Sequence, residues 1–358
     1  MTFLRILTSG VAGLTAALSL AAASPAQAAN AKDIVLFNFE NWGDPPFTAD
    51  YKKKFGANPK YVIYADEDEA FSKMRGGFKP DVMGPCSYEF GRWQEAGLLR
   101  PIDVTKLSNW SKIPASLKSI PGMMKSPTEA WFVPQYWANT SVTYRQDLAP
   151  EYAAKESYNI LFDPKYKRRV AALDGVDDTV TLIAKSKGIN PYAMTPQNWT
   201  DLQKHLRDFV RNARFIASDE TSLSQALASG EVVAAITWNQ TWAALKREGV
   251  KVGFMNPPGG MFTYVCGLVM HKDTKDPEKA LALIDSGISD SASKHMLSVL
   301  SNGPANTGVM KSFTDKQLAE FGLPRDVDAF FKQGTFQSRL KNKEAIVKIW
   351  TEMRAGGR

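Results

Sequence analysis

Two cysteines and three histidines in 358 residues leave little from which to build a transition-metal centre. His205, His271 and His295 stand far apart, and no HExxH or CxxC spacing occurs. His205 falls in a helical pattern between Lys204 and Arg207, where a solvated histidine is the natural reading. No GxxxxGKS/T, GxGxxG or GxSxG stretch is found, so a phosphate loop, a dinucleotide fold and a nucleophile elbow all lack support. No cofactor or metal is therefore expected. Cysteine is too scarce for a disulfide-dense scaffold. Internal repeats and low-complexity tracts are lacking beyond the N-terminal stretch. After residue 28 no run of about 18 apolar residues is present, so no membrane-spanning helix is expected in the mature chain.

What is present is globular composition: 44% hydrophobic, 23% charged and 11% aromatic residues, including 9 Trp. A length above 300 residues exceeds what one core usually serves, and two lobes are expected. The formal charge is +7, but the basic residues are scattered, with Lys165-Tyr166-Lys167-Arg168-Arg169 the one dense run. Such runs are usually solvated faces, and no nucleic-acid partner is expected. Residues 1–28 carry Arg5, an apolar stretch over 11–23 and small residues at Ala26 and Ala28, the layout of a cleaved secretory signal. No twin arginine precedes the apolar stretch and no cysteine follows it, so a Sec-type leader without a lipid anchor is expected.

From residue 34 apolar runs alternate with helical patterns. Strands are expected over 34–37, 61–64 and 81–83, with helices over 48–55, 66–75 and 87–96 between and after them. The rhythm returns beyond residue 138, with strands over 169–173, 232–237 and 251–255. Helices are expected there over 177–187, 198–212 (capped by Thr195), 220–228 and 238–248. Strands alternating with helices of about ten residues imply βαβ units and mostly parallel sheets, hence an α/β fold in two halves. Pro/Gly-rich punctuation at 133–136, 256–260 and 302–306 suggests a chain that crosses between lobes more than once. Helical patterns over 314–321, 325–331 and 338–354 close the chain.

Ligands of open α/β sheets bind outside the carboxyl ends of the strands. Three segments fall there: Asn41-Trp42-Gly43-Asp44, Gly84-Pro85-Cys86-Ser87-Tyr88, and the stretch ending in Trp238. With Pro80-Asp81-Val82, the run 93–103 and the glycines of 253–260, these segments resemble, in order and spacing, the spermidine/putrescine periplasmic binding proteins of ABC importers. The resemblance spans about residues 34–354, nearly the whole mature chain.

The resemblance implies a type II periplasmic binding fold, a Venus-flytrap of two α/β lobes joined by hinge strands. Residues 29–136 with 262–310 would form one lobe, and 137–261 with 311–358 the other. It further implies a periplasmic, non-catalytic, monomeric receptor that closes on a small amine-bearing solute and delivers it to an ABC permease in the inner membrane. An aromatic box would hold the methylenes and ammonium groups, with carboxylates at the ends. Carried over by position, the ligand-binding set is Trp42, Asp44, Cys86, Ser87, Tyr88, Trp137, Asp178, Trp238, Tyr264 and Gln337. Asp177-Asp178 at a helix start also suits plain capping. The companion carboxylate of Asp178 aligns with Gly175, and Asp174 or Asp177 would have to replace it.

Two departures stand out. The family's amine-binding aspartate falls on Cys266, and a pocket tyrosine falls on Gly303. Cys86 and Cys266 both take ligand-contacting positions of one lobe, so the resemblance implies a disulfide between them; two buried free thiols are the alternative. Two further readings stay open. One is a same-fold receptor for another solute, such as an amino-acid derivative or sugar-amine conjugate. The other is an enzyme similar to thiamine-degrading enzymes, with a free Cys86 thiolate as nucleophile and Glu89 as the nearby acid.

Overall fold

A computed structural model describes residues 34–356, so the leader over 1–28 lies outside the described residues. In the first lobe the parallel strands Val35–Asn38, Lys60–Ile63 and Val82–Met83 are separated by the helices Pro45–Phe55 and Glu67–Arg75. Local chemistry sets these boundaries. Asp66 caps the second helix by accepting from Glu69 N, acids fill its first turn, and Lys73 and Arg75 lie in its last turn, each favourable to the helix dipole. In the second lobe Val170–Leu173 is flanked by Ala213–Ala217 and Ala234–Trp238, all parallel. The helix Pro196–Asn212 is capped by Thr195, as its sequence suggested; Asn198 completes a capping box, and Leu202, Leu206 and Phe209 are buried along one stripe.

Two long strands join the lobes. Val133–Arg145 and Phe262–His271 pair antiparallel, with Phe262 opposite Thr140 and Leu268 opposite Val133. Beyond that shared stretch, the first pairs with Ala234–Trp238 in the second lobe and the second with Val82–Met83 in the first, so one sheet runs through both halves. Two short crossings flank them: Gly303–Pro304 on the first strand and Thr335–Phe336 on the second. This is the two-lobed α/β architecture that the sequence implied.

Several details differ from expectation. The strand Ala213–Ala217 follows its helix directly, with no turn residue to announce it. Residues 176–180 form a π-helical turn before the helix Thr181–Ser186. The cores also redraw the C-terminal boundary. Leu318, Leu323, Val327 and Phe331 pack with Phe37, Met83 and Trp93 of the first lobe, whereas Leu340, Ile346, Trp350 and Met353 pack with the second. This packing favours a return to the second lobe after Phe336, where the resemblance implied residue 311. Among the described residues, no helix is long and apolar enough to cross a membrane, and no group of three His, Cys, Asp or Glu is placed to hold a metal ion.

Candidate functional site

The carboxyl ends of the parallel strands in both lobes open on one cleft of about 1310 Å³. Its floor is the pairing face of the two long strands. Tyr264 lies opposite Ala138 and Cys266 opposite Tyr136, which sets these four side chains on one face. Cys86 reaches the same floor after Val82–Met83. It forms the Cys86–Cys266 disulfide, with Cα atoms 3.7 Å apart, and both residues are buried. The disulfide implied by the sequence is thus present. Trp42 stacks on Tyr136 at 3.9 Å between ring centroids, and Trp238 and Tyr264 lie 6.1 Å apart. These rings, with Tyr88, make the apolar lining.

The lining is acidic although the whole chain is basic. Eight carboxylate side chains border the cleft against two basic ones, Arg247 and Lys343. Asp178 is held in place by Thr140 Oγ1, donating at 2.5 Å, and by Gln337 Nε2, donating at 3.0 Å. Burial pushes Glu67 up to about 8; the negative charge of Glu89 adds to this, while Lys343 opposes it. Burial likewise lifts Asp177 to about 6 against the pull of Lys343. Glu220, whose Oε1 accepts from Trp238 N at 3.2 Å, is also raised by burial to about 8. Lys343 Nζ bridges the lobes, 2.7 Å from Glu89 Oε1 and 3.0 Å from Asp177 Oδ2. Its burial disfavours the charge, but these two carboxylates raise its pKa. The acid-rich surroundings and rings suit an organic cation.

Of the sequence-derived set, Trp42, Cys86, Tyr88, Asp178, Trp238 and Tyr264 border this cleft. Four others do not. Asp44 turns away, its Oδ2 4.0 Å from His295 Nε2. Ser87 alternates out of the wall between Cys86 and Tyr88, its N–H donating to Val265 O. Trp137, next to Tyr136 on an extended strand, faces the opposite side and packs edge-on against Phe331 in the first core. Gln337 is buried behind Asp178 and orients it. Gly303 is explained by Trp137: a Cβ at position 303 would sit 2.0 Å from Trp137 Cε2, so no tyrosine fits. Of the two candidates for the companion carboxylate, Asp177 pairs with Lys343 and Asp174 with Arg354.

The sequence reading missed Tyr136, Glu67, Asp177 as an ion-pair partner, Glu220, Gln240, Asn302 and Lys343, all at or beside the cleft. Glu220 follows the strand Ala213–Ala217, so the strand-end rule that found Trp238 also reaches it once that strand is known. Among the described residues the exposed large hydrophobic side chains are Ile63, Val299 and Val347, and all three border the cleft.

Residues 47–320 match the family model of the bacterial extracellular solute-binding proteins. The chain is 22% identical to the putrescine-binding periplasmic protein PotF of Escherichia coli (strain K12), over 97% of this chain and 98% of that one. In structure it is similar to the spermidine/putrescine substrate-binding protein PotD of Streptococcus pneumoniae. That likeness has a TM-score of 0.74 at 17% identity and covers 91% of this chain and 99% of the other. The periplasmic binding protein MotA of A. tumefaciens B6, solved with glucopine, matches with a TM-score of 0.72 at 14% identity, covering 90% of this chain and 99% of its own.

Proposed function

Because the chain belongs to the bacterial extracellular solute-binding proteins, we propose that its cleft captures a small amine-bearing solute for an ABC permease of the inner membrane. The observation that carries this reading is an acid-rich, ring-lined cleft in a chain of net charge +7. Its field favours a cation where the protein as a whole repels one. Rings cover methylenes, cation–π contacts contribute about 0.5–2 kcal/mol each, and the Asp178 carboxylate, already oriented by Thr140 and Gln337, accepts from the ammonium. The protein works as a monomeric receptor in the periplasm, released there by removal of residues 1–28 and without a lipid anchor. It is a receptor rather than a catalyst. The thiolate that a Cys86 nucleophile requires is engaged in the disulfide.

A second reading, the same receptor with a solute other than a simple polyamine, is favoured by one observation: Cys266, on which the resemblance places an amine-binding aspartate, is tied up in the disulfide with Cys86 and offers no carboxylate. Thermal unfolding of the mature protein with polyamines, amino acids and sugar-amine compounds tests both. A ligand at a hundredfold excess over its Kd adds about 2.7 kcal/mol and raises the midpoint by several degrees. Asp178→Asn should abolish the shift for every amine. A shift with no amine at all overturns the proposal.

A further inference from the structure

One stretch of the cleft wall is built from the strand-to-helix junction 238–240 and from residues 301–302, which lead into the short crossing Gly303–Pro304. Asn239 Nδ2 donates to Ser301 O at 2.8 Å and Arg247 Nη1 donates to Ser301 Oγ at 2.9 Å, which locks the two together. Ser301 sits in the left-handed region at φ +54°, a conformation held by these bonds, and Asn302 follows it into the wall. The Asn302 side chain is buried to 1% exposure, yet neither its Nδ2 nor its Oδ1 has a hydrogen-bond partner. On the segment that Asn239 ties to Ser301, Gln240 Oε1 and Trp238 Nε1 are also shielded and unpaired, as is Oε2 of Glu220, whose Oε1 accepts from Trp238 N. Buried polar groups are rarely left so, because each unpaired one costs about 1–3 kcal/mol.

This set mixes N–H donors, Asn302 Nδ2 and Trp238 Nε1, with amide-oxygen acceptors, Asn302 Oδ1 and Gln240 Oε1. Exchanging the two ends of the Asn302 amide leaves the mixture unchanged. An ammonium only donates, so it would leave both N–H groups unpaired. A carboxylate only accepts, and it would enter a cleft bordered by eight acidic side chains against two basic ones. A hydroxyl or carboxamide does both and adds no charge. Elsewhere in the cleft, Lys343 already places a cation between Glu89 and Asp177, where a second ammonium would otherwise be attracted. A volume of about 1310 Å³ also leaves room for a solute larger than a four-carbon diamine.

We propose that the wall formed by Asn302, Gln240 and Trp238 is a subsite for an uncharged hydroxyl- or carboxamide-bearing head, so that the solute is a monoamine with a polar head and not a diamine. The proposal rests on the amine-receptor reading above and narrows it. Isothermal titration with putrescine, 4-aminobutan-1-ol, 4-aminobutanamide and 4-aminobutanoate tests it, because these four differ only in the head. The aminoalcohol or the amide should bind at least about tenfold more tightly than putrescine, since a site built to pair a hydrogen-bonding head discriminates against heads that cannot pair with it. Asn302→Leu, which removes no existing side-chain hydrogen bond, should erase that preference by weakening the aminoalcohol and the amide more than putrescine. Putrescine binding as tightly as the neutral heads, or an equal loss for all four in the variant, overturns the subsite and leaves the amine receptor standing. Selective binding of 4-aminobutanoate does the same. Failure of all four to bind overturns both.

Discussion

At the scale of single residues, the Cys86–Cys266 link closes a loop with a sequence separation of 180 and fixes the floor on which Tyr136 and Tyr264 stand. The chain-entropy model assigns such a loop roughly 5 kcal/mol of stability through restriction of the unfolded chain. The double variant Cys86→Ser/Cys266→Ser should therefore unfold several degrees below the parent in calorimetry. Reductant present during unfolding should bring the parent down to the variant's midpoint and leave the variant where it is. Equal midpoints without reductant would show that the link adds nothing. This pair and Asp178 were readable in the sequence through the resemblance, and Trp42, Tyr88 and Trp238 also through their places at strand ends. Trp137 was not, because its side of the strand depends on register: with Cys266 opposite Tyr136, position 137 has to face the other way. Lys343 was hidden for another reason. Its partners Glu89 and Asp177 come from distant parts of the chain, and only the packed helix brings them together.

At the scale of elements, periodicity served where one face of an element meets the core and the other meets water, as in the helices Glu67–Arg75 and Pro196–Asn212. It failed for Val133–Arg145, which is buried on both faces up to its last residue and carries Pro134 beside a register shift of its partner strand at Cys266/Gly267. Alternation disappears in such a strand, and the proline reads as punctuation. The C-terminal helix Lys343–Arg354 shows what an element can do beyond packing. It belongs to the second core through Ile346, Trp350 and Met353, while its first residue reaches Glu89 of the first lobe, whose side chain is only 3% exposed. Removing one partner of a buried ion pair costs about 3–5 kcal/mol, because the other charge is left uncompensated. Lys343→Met should thus lower the unfolding midpoint. With its tie between the lobes gone, it should also enlarge the radius of gyration of the ligand-free protein in small-angle scattering. A lowered midpoint with an unchanged radius would mean that the ion pairs stabilise the fold without holding the lobes together.

At the scale of the whole molecule, the contrast between a basic chain and an acidic cleft governs how the protein responds to pH. Glu67 and Glu220 titrate at about 8 in the folded protein against 4.5 for an ordinary glutamate, and burial is the main cause for each. Between those values the native state keeps protons that the unfolded chain has lost. Unfolding then releases protons, and stability falls as pH rises from about 4.5 to about 8. A cationic solute reverses part of this. Tyr88 feels the charges of Glu67 and Asp178 together, and Tyr264 those of Asp178 and Glu220, so an ammonium beside Asp178 lies in the field of both raised glutamates. The ammonium favours their ionised forms, so binding near pH 7 expels protons and amine affinity rises from pH 6 towards pH 8. Titration calorimetry of one amine in buffers of different ionisation enthalpy measures the protons released directly. A heat that varies with the buffer in the sense of release, together with tighter binding at higher pH, is the expected result. A buffer-independent heat with pH-independent affinity would place the ammonium outside the reach of Glu67 and Glu220 and leave Asp178 as its sole charged partner.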